Sequence, residues 1–244
     1  MSYIENPKTV GSGIICAIPQ TGHCPNNCED CFFQSGRSYL EPLEDNLPNM
    51  PTLEQSKGKV VRVNDGNDSN VDRELVVTST AGYPMKFYNT SIPRDLEGFD
   101  APVVLTVNPG RMTDDWFYAL SPVPHNIMFL RFRVNAWNTS LLEKAILYYS
   151  FWHVPVVMTF MDYFVTPLLE GFEDCYSWQK HVLNSYWMLK PEVRVSLVNR
   201  YEQAGAVYAC GKGESSFCRD CGNCLREYFA TKERIRNWSS PKTT

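Results

Sequence analysis

Short apolar runs recur along the first two thirds of the chain, and each is bounded by turn-forming residues. Runs of four to eight residues rich in Val, Ile and Phe are typical of buried β-strands. The pattern predicts six strands, at 12–19, 59–64, 85–89, 101–107, 126–134 and 154–160.

Helical segments are predicted between these strands, because apolar residues at 71–81 and 140–151 recur at helical spacing. A further helix is predicted at 113–120, and 36–58 reads as a loop ending in a short helix. Alternating strands and helices indicate an α/β fold with a parallel sheet. Six strands are too few for a closed eight-stranded barrel, and the rhythm alone equally allows a doubly wound open sheet. Beyond residue 161 the pattern is helical and aromatic, with a final helix at 225–238.

Composition narrows the class of protein. The chain has 244 residues, 43% hydrophobic and 20% charged, which is ordinary for a globular protein. A net charge of −4 gives no global basic field, so a nucleic-acid partner is unsupported but stays open. Residues 1–8 lack a secretory pattern, and no apolar run has the length that spans a bilayer. These features predict a cytoplasmic protein without membrane contact, in a compartment that keeps thiols reduced.

Nine cysteines are present, and seven of them form two tight groups. The first group is Cys24, Cys28 and Cys31; the second is Cys210, Cys218, Cys221 and Cys224. Cys16 and Cys175 are isolated. Grouped cysteines in a reducing compartment favour metal binding over disulfides.

The first group has the spacing C-x3-C-x2-C and follows the first predicted strand. Three thiolates on a four-iron cubane leave one iron without a protein ligand, and an open position distinguishes a reactive metal site from a structural one. The alternative is a structural zinc site completed by His23 or a distant cysteine. Zinc sites usually have a second cysteine pair, and none lies nearby.

This spacing, on the loop after the first strand of a six-strand series, resembles the radical S-adenosylmethionine (radical SAM) superfamily. The resemblance implies a partial (βα)6 TIM-like barrel over residues 12–161 and a [4Fe–4S] cluster on Cys24, Cys28 and Cys31. S-adenosylmethionine would bind the open iron, and its reductive cleavage would give a 5′-deoxyadenosyl radical that abstracts hydrogen from an unknown substrate. An electron donor such as flavodoxin or ferredoxin is implied as a partner.

The resemblance also implies cofactor-binding residues, although two family motifs are altered. The aromatic residue that usually precedes the last cysteine is Asp30 here, and Phe33 is predicted to supply the ring. The Gly-Gly-Glu stretch after the second strand is replaced by residues 64–68, which are also good turn formers. The predicted cofactor-binding residues are Phe33, Asn64, Gly66, Asn67, Asp68, Asn108, Arg133, Asn135 and Met161, and Asp162 or Tyr163 is a candidate for substrate contact.

The second group has the spacing C-x7-C-x2-C-x2-C, and its last three cysteines resemble the bacterial ferredoxin pattern. Four cysteines close a metal shell, so this site is either an auxiliary [4Fe–4S] cluster or a structural zinc. We expect a radical SAM core at 1–165 and a helical, cysteine-rich extension at 166–244. The alternatives are a glycyl-radical activating enzyme, and a non-catalytic iron–sulfur or zinc protein that carries electrons or mediates interactions.

Overall fold

The computed structural model describes residues 2–28, 31, 33, 38–107, 120–164, 168–180, 185–213 and 215–239. Seven parallel strands form the main sheet, and neighbouring strands follow the order in which they are named here. They are β1 (Ile14–Ala17), β2 (Val60–Val63), β3 (Lys86–Thr90), β4 (Val103–Val107), β5 (Ile127–Val134), β6 (Val156–Phe160) and β9 (Val207–Ala209). The predicted α/β class and its parallel sheet are confirmed.

The order of the described strands differs from that of a doubly wound sheet. In a doubly wound sheet the order reverses beside the first strand. The described strands instead run in sequence from one edge of the sheet to the other, with β1 at one edge and β9 at the other. All six predicted strands are present, whereas β9 was not predicted because three residues are too few to show a pattern.

Seven α-helices accompany the sheet in the described part of the chain. They are α1 (Leu43–Asn46), α2 (Leu53–Ser56), α3 (Arg73–Ser79), α4 (Thr139–Phe151), α5 (Pro191–Tyr201), α6 (Cys218–Cys221) and α7 (Asn223–Ser239). The predictions at 71–81, 140–151 and 225–238 are confirmed by α3, α4 and α7. The predicted helix at 113–120 lies, except for its last residue, outside the described residues. None of the helices described is both long enough and apolar enough to cross a bilayer.

The helical prediction for the residues that follow 161 was wrong in one segment. Strands β7 (Tyr176–Gln179) and β8 (Tyr186–Leu189) form an antiparallel pair there, with Trp178 opposite Trp187. The two indole rings lie 5.1 Å apart between centroids. Aromatic cross-strand pairs stabilise such ribbons, but the pairing links residues that local periodicity does not connect.

The two faces of the sheet are covered differently. Residues of one face, including Val61, Val63 and Leu130, pack against apolar side chains of α3, α4 and α5. The alternating residues of the other face pack against α7, whose Tyr228 is buried between them. This second face, called the α7 face below, carries Val60, Phe87, Val104, Phe129 and Val157. Helix α7 therefore closes the side of the sheet that α3, α4 and α5 leave uncovered.

An ion pair between the buried Lys86 of β3 and the half-exposed Asp100 provides a test of the fold. The Lys86 ammonium group lies 2.8 Å from a carboxylate oxygen of Asp100 and donates to the Thr80 carbonyl oxygen. Burial alone would raise the pKa of Asp100, but hydrogen bonds from Lys86 and Tyr88 lower it below its ordinary value. The carboxylate therefore stabilises the fold above its unfolded pKa, and this contribution is lost as pH falls through the folded pKa.

We expect Asp100→Asn to lower the free energy of unfolding near neutral pH by about 1–3 kcal/mol, because Lys86 would keep its charge in a buried site. Asp100 itself is half-exposed, which keeps the loss below that of a fully buried pair. Urea unfolding at several pH values measures this loss. The difference in free energy of unfolding between the variant and the unmodified chain should shrink below pH ~4. Glu97→Gln, at an exposed position nearby, is the control. A pH-independent difference would contradict the assignment.

Candidate metal and cofactor site at the ends of the strands

The first cysteine group lies on the loop that leaves β1. Cys24 is buried, whereas Cys28 and Cys31 are partly exposed, and none of the three forms a disulfide. Burial raises the pKa of Cys24 to about 11; the backbone N–H of Asn26 opposes this effect, and the charges of Cys28 and Cys31 add to it. All three thiols belong to this one loop.

In the described part of the chain, no group of three His, Cys, Asp or Glu side chains is arranged to hold a metal ion. Thiolates are the protein ligands that iron–sulfur clusters take, and Cys24, Cys28 and Cys31 are the three thiols that this loop carries.

Asp68 ties the cysteine loop to the ends of two strands. Its carboxylate accepts hydrogen bonds from Asn26 of the cysteine loop at 2.9 Å, and from Thr90 and Ser91 after β3. It also accepts one from the backbone N–H of Asn70. Asp68 is only 3% exposed, so these bonds form in a protected environment where charge-assisted bonds are strong.

Two further contacts join the same loops. The Asn67 amide donates to the Gly22 carbonyl oxygen at 3.1 Å. The ring of Phe33, which is 1% exposed, lies so close to Gly66 that a Cβ there would be 2.0 Å from a ring carbon. The structure therefore brings the cysteine loop together with predicted residues Gly66, Asn67 and Asp68, and it places Phe33 inside this junction.

Several polar side chains near the carboxyl ends of the strands have a buried atom without a hydrogen-bond partner. Asn64 follows β2 with a φ of 60°, is 2% exposed, and donates to Ser69, but its Oδ1 atom has no partner. The same holds for Oδ1 of Asn89 and Oγ1 of Thr159 among the described residues. Buried polar atoms are normally paired, so these atoms retain the capacity to bond a water molecule or a polar ligand. Of the three, only Asn64 is among the residues that the sequence predicts.

The remaining predicted residues meet at the ends of β5 and β6. The Asn135 amide donates to the Tyr163 hydroxyl at 2.8 Å, and that hydroxyl contacts the Met161 sulfur at 3.5 Å. The Asn135 side-chain oxygen accepts from two backbone N–H groups in the turn that begins α4, so both ends of this amide are used. Arg133 precedes this turn, and its carbonyl oxygen accepts from Asn138. Asn108 lies outside the described residues.

The second cysteine group lies against the α7 face. Cys210 and Cys221 share a hydrogen bond, which raises the pKa of Cys210 and lowers that of Cys221. Burial raises the pKa of Cys224, and the charges of Cys218 and Cys221 add to this effect. The thiols of Cys210 and Cys221 are therefore neighbours, and Cys210 and Cys224 both pack against the apolar residues of the α7 face. Gly211 makes the approach possible, because its φ is +89° and a Cβ would lie 2.4 Å from the Ser215 carbonyl oxygen.

Sequence reasoning missed three residues beside this second group. Arg62 of β2 contacts both Cys16 and Cys218, and the charge of Arg131 of β5 acts on Cys210 and Cys224. A signal was present in the sequence: charged residues inside strands that are otherwise apolar require a buried partner. Cys16, which the sequence left isolated, lies opposite Arg62 across the first strand pair.

The contact between Gly66 and Phe33 leads to a prediction. Gly66→Ala should destabilise the chain by about 1–3 kcal/mol, because the new methyl group must displace a buried ring. Thermal or urea unfolding measures the loss, and Phe33→Leu in the same chain should recover part of it. Gly22→Ala is the matched control, since its Cβ would meet nothing within 4 Å. Equal stability of the two single variants would contradict this packing.

No family model, curated protein or solved structure matches this chain, so its function is inferred from its own residues and their geometry.

Proposed function

We propose that this chain is a radical SAM enzyme whose [4Fe–4S] cluster is held by Cys24, Cys28 and Cys31. The observation that carries the proposal is the junction between two loops at the carboxyl ends of the strands in a parallel sheet. The cysteine loop leaves the first strand, and Asp68 binds it to the loop that leaves the second. In parallel α/β sheets, ligands bind at the carboxyl ends of the strands.

The order of the strands supports a partial (βα)6 TIM-like barrel. Right-handed crossovers between strands that neighbour in sequence place the connecting helices on one face of the sheet. The helices α3, α4 and α5 share such a face, and α7 packs on the other. Under this proposal the α7 face is the inside of an open barrel, and β9 lies at its far edge.

When bound, the cluster and S-adenosylmethionine supply reductive cleavage of the sulfonium to methionine and a 5′-deoxyadenosyl radical. We assign Asn64 to bind the methionine ammonium group, because its unpaired Oδ1 atom is a buried acceptor beside the cysteine loop. Asp68 positions the loop, since its carboxylate oxygens already accept hydrogen bonds from the chain. Arg133, Asn135 and Met161 would flank the cofactor from β5 and β6.

The second cysteine group would hold an auxiliary [4Fe–4S] cluster or a zinc ion, using Cys210, Cys218, Cys221 and Cys224. The first reduction requires an electron donor such as flavodoxin or ferredoxin, and the substrate from which hydrogen is taken is not specified by these residues. The proposal includes a cytoplasmic location, because that compartment keeps grouped thiols reduced.

The test is anaerobic reconstitution with iron and sulfide, followed by dithionite and S-adenosylmethionine. We expect 5′-deoxyadenosine and methionine in equal amounts, detected by chromatography. Chain without added iron and sulfide is the control. Assembly of iron–sulfur clusters without any cleavage under strong reductant would overturn the proposal and favour the electron-carrier alternative.

A further inference from the structure

Two arginine residues of the sheet lie on the α7 face, against which Cys210 and Cys224 pack. Arg62 alternates with Val60 on β2, and Arg131 alternates with Phe129 on β5, so both lie on the α7 face. The side chain of Arg62 is only 12% exposed. A guanidinium group stays charged at every accessible pH, so a buried one requires negative charge nearby.

Arg62 is shared between the second cysteine group and the loop after β2. One terminal nitrogen donates to the Cys218 sulfur at 3.9 Å; the other lies 3.3 Å from the Cys16 sulfur and 3.3 Å from a carboxylate oxygen of Asp65. Asp65 directly follows Asn64, the proposed ligand of the ammonium group. The Nε atom of Arg62 is buried and has no partner among the residues described. The Arg62 guanidinium group therefore contacts both the second cysteine group and the loop at 64–68, where S-adenosylmethionine is proposed to bind.

A third arginine lies within the segment of chain that carries the second cysteine group. Arg219 lies between Cys218 and Cys221 in the sequence, but its side chain is 49% exposed and packs over the Phe217 ring. Solvent screens a charge in such a position, so its effect on a neighbouring centre is small. Arg62, 156 residues from Cys218 in the chain, is only 12% exposed at its side chain and is screened much less.

We infer that Arg62 and Arg131 are positioning residues for a metal centre on Cys210, Cys218, Cys221 and Cys224. Four thiolates give such a centre a net negative charge, and the two guanidinium groups compensate it from the sheet. Arg62 also joins the centre to the loop at 64–68 through Asp65. The inference rests on the proposed metal binding by the second cysteine group, and it is independent of S-adenosylmethionine cleavage at the first.

The experiment is an anaerobic titration of the full chain with Co²⁺ alone. Binding is monitored by the thiolate-to-cobalt absorption band, and a competing chelator calibrates the affinity. The part of the signal that Cys221→Ala removes belongs to the second group. We expect Arg62→Met and Arg131→Met each to weaken Co²⁺ binding there by about 10–100-fold, as losses of outer contacts do in metal sites. Arg62→Lys keeps the charge and should recover most of the affinity. Arg219→Met should stay within about twofold of the unmodified chain.

Unfolding of each metal-free variant by urea separates a folding defect from a binding defect. If Arg62→Met does not fold, Arg131→Met carries the same test from another strand. Wild-type Co²⁺ affinity in a folded arginine variant would overturn the inference while leaving the metal centre in place. If Cys221→Ala removes no signal, the second group binds no metal, and the inference fails with that part of the proposed function. Cleavage of S-adenosylmethionine at the first group is a separate assay.

Discussion

Cys28→Ala should abolish formation of 5′-deoxyadenosine from S-adenosylmethionine. A cluster that loses one of three thiolate ligands has no replacement thiolate on the cysteine loop, which carries no further cysteine. We therefore expect a loss greater than the ~100-fold that removal of an outer contact costs a metal site. Cys28 is a better choice than Cys24, because it is partly exposed and its truncation removes little core packing.

The assay combines iron analysis with chromatography of the cleavage products. Cys28→Ala should lose the iron of the first group and keep the metal of the second. Cys175→Ala is the matched control, since that thiol is also partly exposed and free but belongs to neither group. Retained cleavage in Cys28→Ala would refute the assignment of the first cluster, and so would an equal loss in Cys175→Ala.

Asp68→Ala should both destabilise the chain and uncouple the cysteine loop from the sheet. The substitution leaves donors from Asn26, Asn70, Thr90 and Ser91 without their acceptor in a buried position. Losses of buried networks of this kind cost about 3–5 kcal/mol. Asp68→Asn keeps the shape and one acceptor oxygen, so its loss should be smaller.

The effect on catalysis is measured with Asp68→Asn at a temperature at which it remains folded. We expect 5′-deoxyadenosine formation to fall at least ~10-fold, because a displaced cysteine loop misplaces the reacting groups. Asp72→Ala is the control from the same segment; it removes only the cap of α3 and should cost about 1 kcal/mol. Wild-type cleavage by Asp68→Asn would show that Asp68 does not position the loop.

Local patterns were sufficient for most of the sheet. The apolar runs of β1 to β6 lie within single segments, so the sequence showed them directly. The ribbon of β7 and β8 was mistaken for helix, because the pairing of Trp178 with Trp187 is a contact across strands. Strand β9 escaped notice because it has three residues and is defined only by its pairing with β6.

The candidate site also combines features that the local sequence predicts with features that only the tertiary structure decides. Its cysteine spacing is local, and the sequence predicts cofactor binding by residues of the turn at 64–68. The contacts of these residues within the chain were not predictable. The Asp68 carboxylate accepts hydrogen bonds from two loops, and Phe33 is buried against Gly66.

The sequence by itself determined the parallel α/β class, the first six strands, the long helices and the two groups of thiols, because periodicity and spacing act over a few residues. Tertiary structure alone decided which polar atoms remain unpaired, how Asp68 is used, and that Arg62 meets Cys218 across 156 positions. Those outcomes depend on the order of the strands and on the face that α7 covers. Both are set by the burial of apolar surface over the whole chain, which no local pattern records.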